Sequence, residues 1–409
     1  MPMSDDVLKK NVWLFITRSF ILSVYQGIYD VIFNLYILDM GFREDFLGLV
    51  ISINMLASSA AAVPAGVLCD RYDKRRLMAI FGLLSLISTA PIFLTGSPWV
   101  ILLFSAIVGA CGSVSAVCAT PLLTENCESD TVRVFSLNSA FSLTASIIGC
   151  TAGGLMPGIM PGLWPGCRPY RLTLALSLLL LLAGLSTLLM MKGGKPRRTP
   201  KKGTIRPSPC LMKFTAIGAL TGVGTGAIMP YFNVYFVKVL GASPSWIGAL
   251  FAATNAVMVA GFAVTPLAAS RLGKARAAAL TQMASIPFLV IMMIPGSLAV
   301  CSFAYAARML LMNMAGPAIA SLQMEKISPE ERGFAIGFMS TVSGVVVSAS
   351  AYLSGLFMAR GSYMLPYAAT CCAYLAAAGL MYHFFKEDTR GIARLKAPAE
   401  RASGAGIKI

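Results

Sequence analysis

Three charged side chains, Arg18, Asp30 and Arg308, interrupt long apolar runs of this chain. A charge at mid-membrane costs about 2.5–3.5 kcal/mol on insertion scales, so each needs a partner or a function. Around Asp30, the polar residues Gln26, Asp30 and Asn34 recur at intervals of four, which on a helix is a single stripe. A carboxylate that passes between a dry setting and an arginine-paired one exchanges a proton readily. Dehydration favours its neutral form and a guanidinium its charged form. Asp30 therefore reads as a proton-coupling or substrate-binding residue, with a static structural pair as the alternative. Arg18 lies about 18 Å from Asp30 along the same helix, too far to pair with it. Arg308 falls near the midplane, so an Asp30–Arg308 pair is geometrically plausible, and Asn313 adds a polar group on the same run. No Cys/His spacing suits a metal, no nucleophile–base pair appears, and the only histidine is His383. Neither metal, cofactor nor enzymatic activity is expected.

The elements that must position these groups are membrane helices. Hydrophobic residues make up 57% of the 409 and charged residues 12%, and the mean hydropathy of +0.74 is far above that of a soluble domain. Twelve apolar windows reach the roughly 20 residues that a bilayer crossing needs. They lie near 11–38, 45–69, 76–96, 98–122, 132–157, 171–191, 213–240, 245–269, 277–296, 298–323, 333–359 and 362–385. None alternates like a barrel strand, so all are expected to be helices. The net charge of +16 is explained by topology: with the N-terminus inside, 26 of the 33 Lys and Arg fall on inner segments. Both termini are then cytoplasmic, and nucleic acid is not needed as a partner. The first run is too long for a signal peptide and lacks a cleavage site, so it is expected to be retained. Of ten cysteines, only Cys167 falls clearly in an outer loop, which argues against a disulfide framework.

The charged turn between the second and third windows reads Gly66-Val67-Leu68-Cys69-Asp70-Arg71-Tyr72-Asp73-Lys74-Arg75-Arg76, and a faded copy recurs at Ala268–Arg276. In that copy Arg71 matches Arg271 and Lys74 matches Lys274. Phe33-Asn34-Leu35-Tyr36-Ile37 likewise parallels Phe232-Asn233-Val234-Tyr235-Phe236, and Glu125 parallels Glu325. Such a repeat implies two halves of like topology related by an axis along the membrane normal. The first turn resembles the G-x-L-x-D-R-x-G-R/K-R signature of the major facilitator superfamily, with Asp73 where glycine is usual. The resemblance implies an all-α integral membrane protein with twelve transmembrane helices in two pseudo-symmetric six-helix bundles. The bundles would span 1–191 and 213–386, joined by a basic cytoplasmic linker at 192–212 and followed by a flexible cytoplasmic tail at 387–409.

The resemblance also implies alternating access, with helices 1, 4, 7 and 10 lining the path. Gly66 would let helices approach closely, and Asp70 would accept from the N–H groups that start helix 11. Arg71, Lys74 and Arg75 would pair with Glu125 at the inner end of helix 4. Asn34 and Asn233, flanked by Tyr36, Tyr231 and Tyr235, read either as an outer gate bonded across the halves or as an interfacial aromatic belt. Gly149-Cys150-Thr151-Ala152-Gly153-Gly154 is similar to the G-P-x-x-G-G motif of proton-coupled antiporters, with Cys150 in place of proline; close helix packing explains it equally well. Pro157-Gly158, Pro161-Gly162 and Pro165-Gly166 are expected to form serial turns in an outer loop.

The function expected is proton-driven export of a small amphipathic or hydrophobic compound across a bacterial-type inner membrane, by a monomer in contact with lipid. A proton-linked symporter importing an anionic metabolite held by Arg308, or a lysolipid transporter, is the alternative.

Overall fold

A computed structural model describes residues 5–127, 131–166, 168–191, 208–294, 296–328 and 331–385. The expected linker core at 192–207, the tail from 386 onward and Cys167 lie outside the described residues. The first bundle comprises α1 (Asp5–Asp39), α2 (Glu44–Arg71), α3 (Lys74–Leu94), α4 (Pro98–Glu125), α5 (Thr131–Leu163) and α6 (Pro169–Met190). The second comprises α7 (Pro209–Ile228), α8 (Phe232–Lys238), α9 (Pro244–Leu272), α10 (Lys274–Met293), α11 (Leu298–Lys326), α12 (Arg332–Ala359) and α13 (Met364–Phe385). No strand occurs among the described residues. Eleven spans are long and apolar enough to cross a membrane, α7 and α8 counting as one, and α9 supplies one more helix of 29 residues.

Two local outcomes depart from the sequence reading. The seventh span breaks at a 3₁₀ turn, Met229–Tyr231, because Pro230 has no N–H to continue the ladder. The Pro-Gly series does not form serial turns throughout. Pro157 and Pro161 lie inside α5, which runs on to Leu163, and the chain turns only at Trp164–Gly166, where Gly166 takes φ +83°. Prolines are tolerated there because neighbouring elements in a membrane bundle satisfy freed carbonyls; the Ser245 hydroxyl donates to the Gly154 carbonyl at 3.2 Å.

Within the first half α1 packs on α5 and α6, and α2 on α4; within the second, α7 packs on α12 and α13, and α10 on α11 and α13. Two seams join the halves, α2 against α12 and α5 against α9. With no hydrophobic drive between helices in lipid, such seams depend on small residues that let backbones approach. A Cβ added to Gly154 would lie 2.9 Å from the Gly248 Cα, and one added to Gly48 would lie 3.1 Å from the Gly355 Cα. These two crossings are repeat-related, Gly48 matching Gly248 and Gly154 matching Gly355. The glycine cluster of α5 therefore has a counterpart in α12 that the sequence alone did not disclose.

Below, the terminal end is where α1 begins and α13 finishes, and the distal end is opposite.

Candidate functional site

A cavity of about 490 Å³ lies between the halves. The stripe from α1 faces it: Gln26, Asp30 and Asn34 all line the cavity, as does Asn233 of α8. Gln26 Nε2 donates to Asp30 Oδ1 at 2.7 Å, and Asp30 is open to the cavity. Among the described residues, Asp30 is the only charged side chain in the lining. The rest is aromatic or neutral. Tyr29 stacks on Phe33 with centroids 4.3 Å apart, and Phe251 stacks on Tyr305 at 5.4 Å. Two amides that the sequence reading passed over, Asn54 of α2 and Asn255 of α9, complete it. Both stand alone in apolar runs, which was the available signal. Asn54 Nδ2 donates to the Ser105 carbonyl at 2.9 Å, and Asn255 Nδ2 donates to Ser146 Oγ at 3.1 Å across the halves.

Arg308 does not pair with Asp30. It is 1% exposed and sits one side-chain layer behind the wall, where Nη2 donates to the Tyr374 hydroxyl at 2.9 Å. Its guanidinium lies 5.2 Å from the Phe232 ring centroid, and Phe232 faces the cavity. The charge is thus met by aromatic faces, one phenol and the Met309 sulfur, to which Nη1 donates at 3.1 Å, and Nε has no hydrogen-bond partner among the described residues. Asn313 is also outside the lining, its amide donating to the Met309 carbonyl at 2.8 Å. Arg18 is buried in α1, with no hydrogen bond or ion pair to any described residue.

The halves are locked together at the distal end. Asn34 Nδ2 donates to Asn233 Oδ1 at 2.8 Å and also to the Pro230 carbonyl, while Asn233 Nδ2 donates to the Asp30 and Val31 carbonyls at 3.1 Å. The break in the seventh span thus exposes a carbonyl that α1 caps. A second latch was not foreseen. Glu44 Oε1, at the start of α2, accepts from Lys238 Nζ at 2.7 Å and from the Tyr363 hydroxyl at 2.9 Å. Burial, and then the adjacent Glu44 carboxylate, hold the Tyr363 phenol above its usual range, so it remains a donor. Arg43 donates to the Ala359 carbonyl and Ser52 meets Ser348 at 2.8 Å. The hydrogen bonds that join the halves, Asn34–Asn233, Arg43–Ala359, Ser52–Ser348, Ser245–Gly154, Asn255–Ser146 and Tyr363–Glu44, lie in this distal and central region.

At the terminal end each half is tied internally. Lys74 Nζ meets Glu125 Oε1 at 2.6 Å, and its repeat-related pair Lys274–Glu325 also forms. Arg75 goes elsewhere than expected, donating to the Leu188 and Leu189 carbonyls at 3.2 and 2.7 Å. Those carbonyls end α6, where the Leu188 carbonyl also accepts from the Met191 N–H at 3.3 Å, and the negative end of the helix dipole is what attracts a guanidinium. Gly66 faces open space rather than a crossing helix. Asp73 does not adopt the left-handed conformation: at φ −63° it caps α3, accepting from the Arg76 N–H at 3.0 Å. Its counterpart Gly273 takes φ +83°. Capping by a carboxylate therefore replaces a glycine-only conformation at the same place. Asp70 and Arg71 are exposed and make no hydrogen bond to described residues.

The α5 cluster packs as its composition suggests. A Cβ on Gly149 would meet the Val24 carbonyl at 2.2 Å, and one on Gly153 the Ile28 Cα at 2.9 Å.

The family model of the Major Facilitator Superfamily matches residues 18–350. No curated protein matches the sequence. Among solved structures, the nucleoside transporter NupG superposes with a TM-score of 0.75 at 14% identity, over 92% of this chain and 99% of that one. A bacterial homologue of the human lysosomal transporter Spinster, in an inward-facing and unoccupied conformation, gives 0.69 at 13% over 95% and 97%. A D-xylose-proton symporter gives 0.70 at 13% over 92% and 96%. At such identities these likenesses concern the fold alone. With a matching model over most of its length and the two-bundle architecture above, the chain belongs to the Major Facilitator Superfamily.

Proposed function

We propose that this chain is a proton-coupled exporter of a small amphipathic compound, working by alternating access around the cavity that holds Asp30. The observation that carries this reading is the solitary carboxylate. Asp30 is open to the cavity, held by Gln26, and unaccompanied by any other charge in the lining among the described residues. A lone carboxylate on a conduit can hold a proton or a substrate, but two positive charges at once would need a second acid. Competition for one site is the simplest way to exchange proton for substrate. The aromatic walls suit an apolar body, and the neutral amides orient its polar end without demanding a charge.

The rival reading, import of an anionic metabolite, draws little support. The guanidinium it requires is spent on Tyr374 and covered by Phe232. The α5 glycines favour export only as far as their motif does, since each is also explained by packing on α1 or α9. The excess of basic residues at the terminal end supports a cytoplasmic location for that end and for both termini. Helices 1 and 7 line the conduit through Asn34 and Asn233, whose meeting serves as an outer gate. The superfamily signature serves as its cytoplasmic counterpart, Asp70 and Arg71 engaging when that side closes.

The test is purified protein in liposomes under an imposed pH gradient, with a panel of amphipathic compounds and an internal pH dye. Substrate-evoked proton flux in the wild type, lost in Asp30→Asn, is the expected result. Equal flux in both proteins returns Asp30 to a structural role.

A further inference from the structure

Next to the Asp30 cavity lies a second one of about 590 Å³, and the two share Asn54 and Met55. It runs from the centre towards the terminal end between α2, α7, α11 and α12, the helices of one seam and their neighbours. Along α12 it extends from Val347 back to Ile336, about 16 Å at 1.5 Å per residue. No charged side chain among the described residues lines it. Phe214, Ile336, Met339 and Val347 give it apolar walls, and the polar groups are the small hydroxyls and two amides, Gln323 and the shared Asn54. Met55 at the junction and Met339 further along are unbranched and polarizable, so the wall adapts to apolar guests of differing shape.

A passage serving only small polar solutes has no need of such walls. The two compartments differ in kind: one offers a carboxylate among aromatic rings, and the other offers uncharged, largely apolar length. Joined at Asn54 and Met55, they form a two-compartment receptor for a molecule with two unlike ends.

We infer that the transported compound is a single-chain organic cation whose charged head binds at Asp30 while its apolar chain lies in the α2–α7–α11–α12 compartment. This rests on the reading of Asp30 as the proton and substrate site. The head sits between Tyr29 and Tyr305, where aromatic faces favour a cation as well as the carboxylate does. The chain enters from the terminal end, towards which the compartment runs.

The probes are alkyltrimethylammonium ions with chains of four to ten carbons, assayed in proteoliposomes by proton flux and, in parallel, by radiolabelled tracer movement. Wild-type KM falls by up to about fourfold per methylene while the chain is being buried, then levels. Because long chains also partition into lipid, the decisive quantity is the KM of Ser340→Trp divided by that of wild type at each length. Ser340 lines the compartment and is exposed to it, so the indole fills space meant for the chain. Ser340→Phe repeats the test with a smaller ring should the tryptophan variant fail to fold. The ratio rises steeply with chain length if the compartment holds the chain. A ratio that is the same at every length makes the compartment a common vestibule and overturns the inference. Tracer movement with length-dependent ratios but no proton flux refutes the coupling proposed for Asp30 while leaving the compartment assigned.

Discussion

Neutralising Glu44 tests whether the distal latch holds the halves closed. Glu44 is 4% exposed and accepts from Lys238 and Tyr363, both of the other half. Glu44→Gln keeps the shape and can still accept from Tyr363, so the loss is the ionic part of the bond to Lys238. That ammonium is 42% exposed, so the pair is screened by water and belongs with partly exposed salt bridges, about 1 kcal/mol. A loss of about 1 kcal/mol multiplies the ratio of distal-open to distal-closed protein by about five. The assay places spin labels at Asp39 and Met364, exposed positions on opposite halves at the distal end, in a background freed of its ten cysteines. Distance distributions in nanodiscs then report the two populations. A fivefold gain of the long-distance population is expected, and acidifying the wild type should approach the same distribution because protonation also removes the charge. An unchanged distribution in Glu44→Gln would refute the latch, since the carboxylate would then contribute nothing to closure.

Three other perturbations follow from the geometry. Asn233→Ala removes an amide that donates to the Asp30 and Val31 carbonyls and accepts from Asn34, stranding buried groups at about 1–3 kcal/mol; the same spin labels should show loss of the closed population. Gly48→Ala puts a Cβ 2.6 Å from the Tyr231 hydroxyl and 3.1 Å from the Ala351 carbonyl, so distal closure should be impaired even though no polar contact is deleted. Arg308→Met exchanges an incompletely satisfied guanidinium for a flexible apolar chain, leaving the Tyr374 phenol without its partner. A thermal-unfolding shift within about ±2 kcal/mol is expected, with proton flux retained; loss of flux in a folded protein would place Arg308 in the cycle.

How much of this was legible in the sequence depended on the kind of signal. The membrane helices follow from apolar length alone, and the approach of Lys74 to Glu125 and of Lys274 to Glu325 follows from a repeat in which both pairs keep their spacing. The stripe Gln26–Asp30–Asn34 is a helical periodicity, and it does face one cavity. What stayed hidden depends on how separate helices lie against one another. Arg308 finds Tyr374 in α13 rather than Asp30, and no spacing within either helix announces that. Glu44, Lys238 and Tyr363 stand beside three different turns and meet only once the halves close. Gly355 lacks the glycine neighbours that make the α5 cluster conspicuous, yet it occupies the equivalent crossing. Pro230 is an exception: it could have been read as a break, and it is one.

The two ends of the molecule are held by different physics, and that difference is what lets it rock. At the distal end, closure rests on backbone approach at Gly48–Gly355 and Gly154–Gly248, on amides that reach carbonyls across the seam, and on one ionic latch. Such contacts are short-ranged, so a small rotation of one half removes many of them together. At the terminal end the ionic pairs tie helices within a half, where rotation leaves them intact. Asp70 and Arg71 stand exposed beside them, with contacts still to be made. Opening the distal end therefore loses contacts that the terminal end can restore only if the signature engages. On the proposed mechanism the two states stay within a few kcal/mol of each other only while both sets exist, and a proton or substrate bound at Asp30 would need to supply no more than that difference. The intrahalf pairs then serve to keep each bundle rigid, so that a change felt at Asp30 in the middle becomes a movement of whole halves instead of a local relaxation.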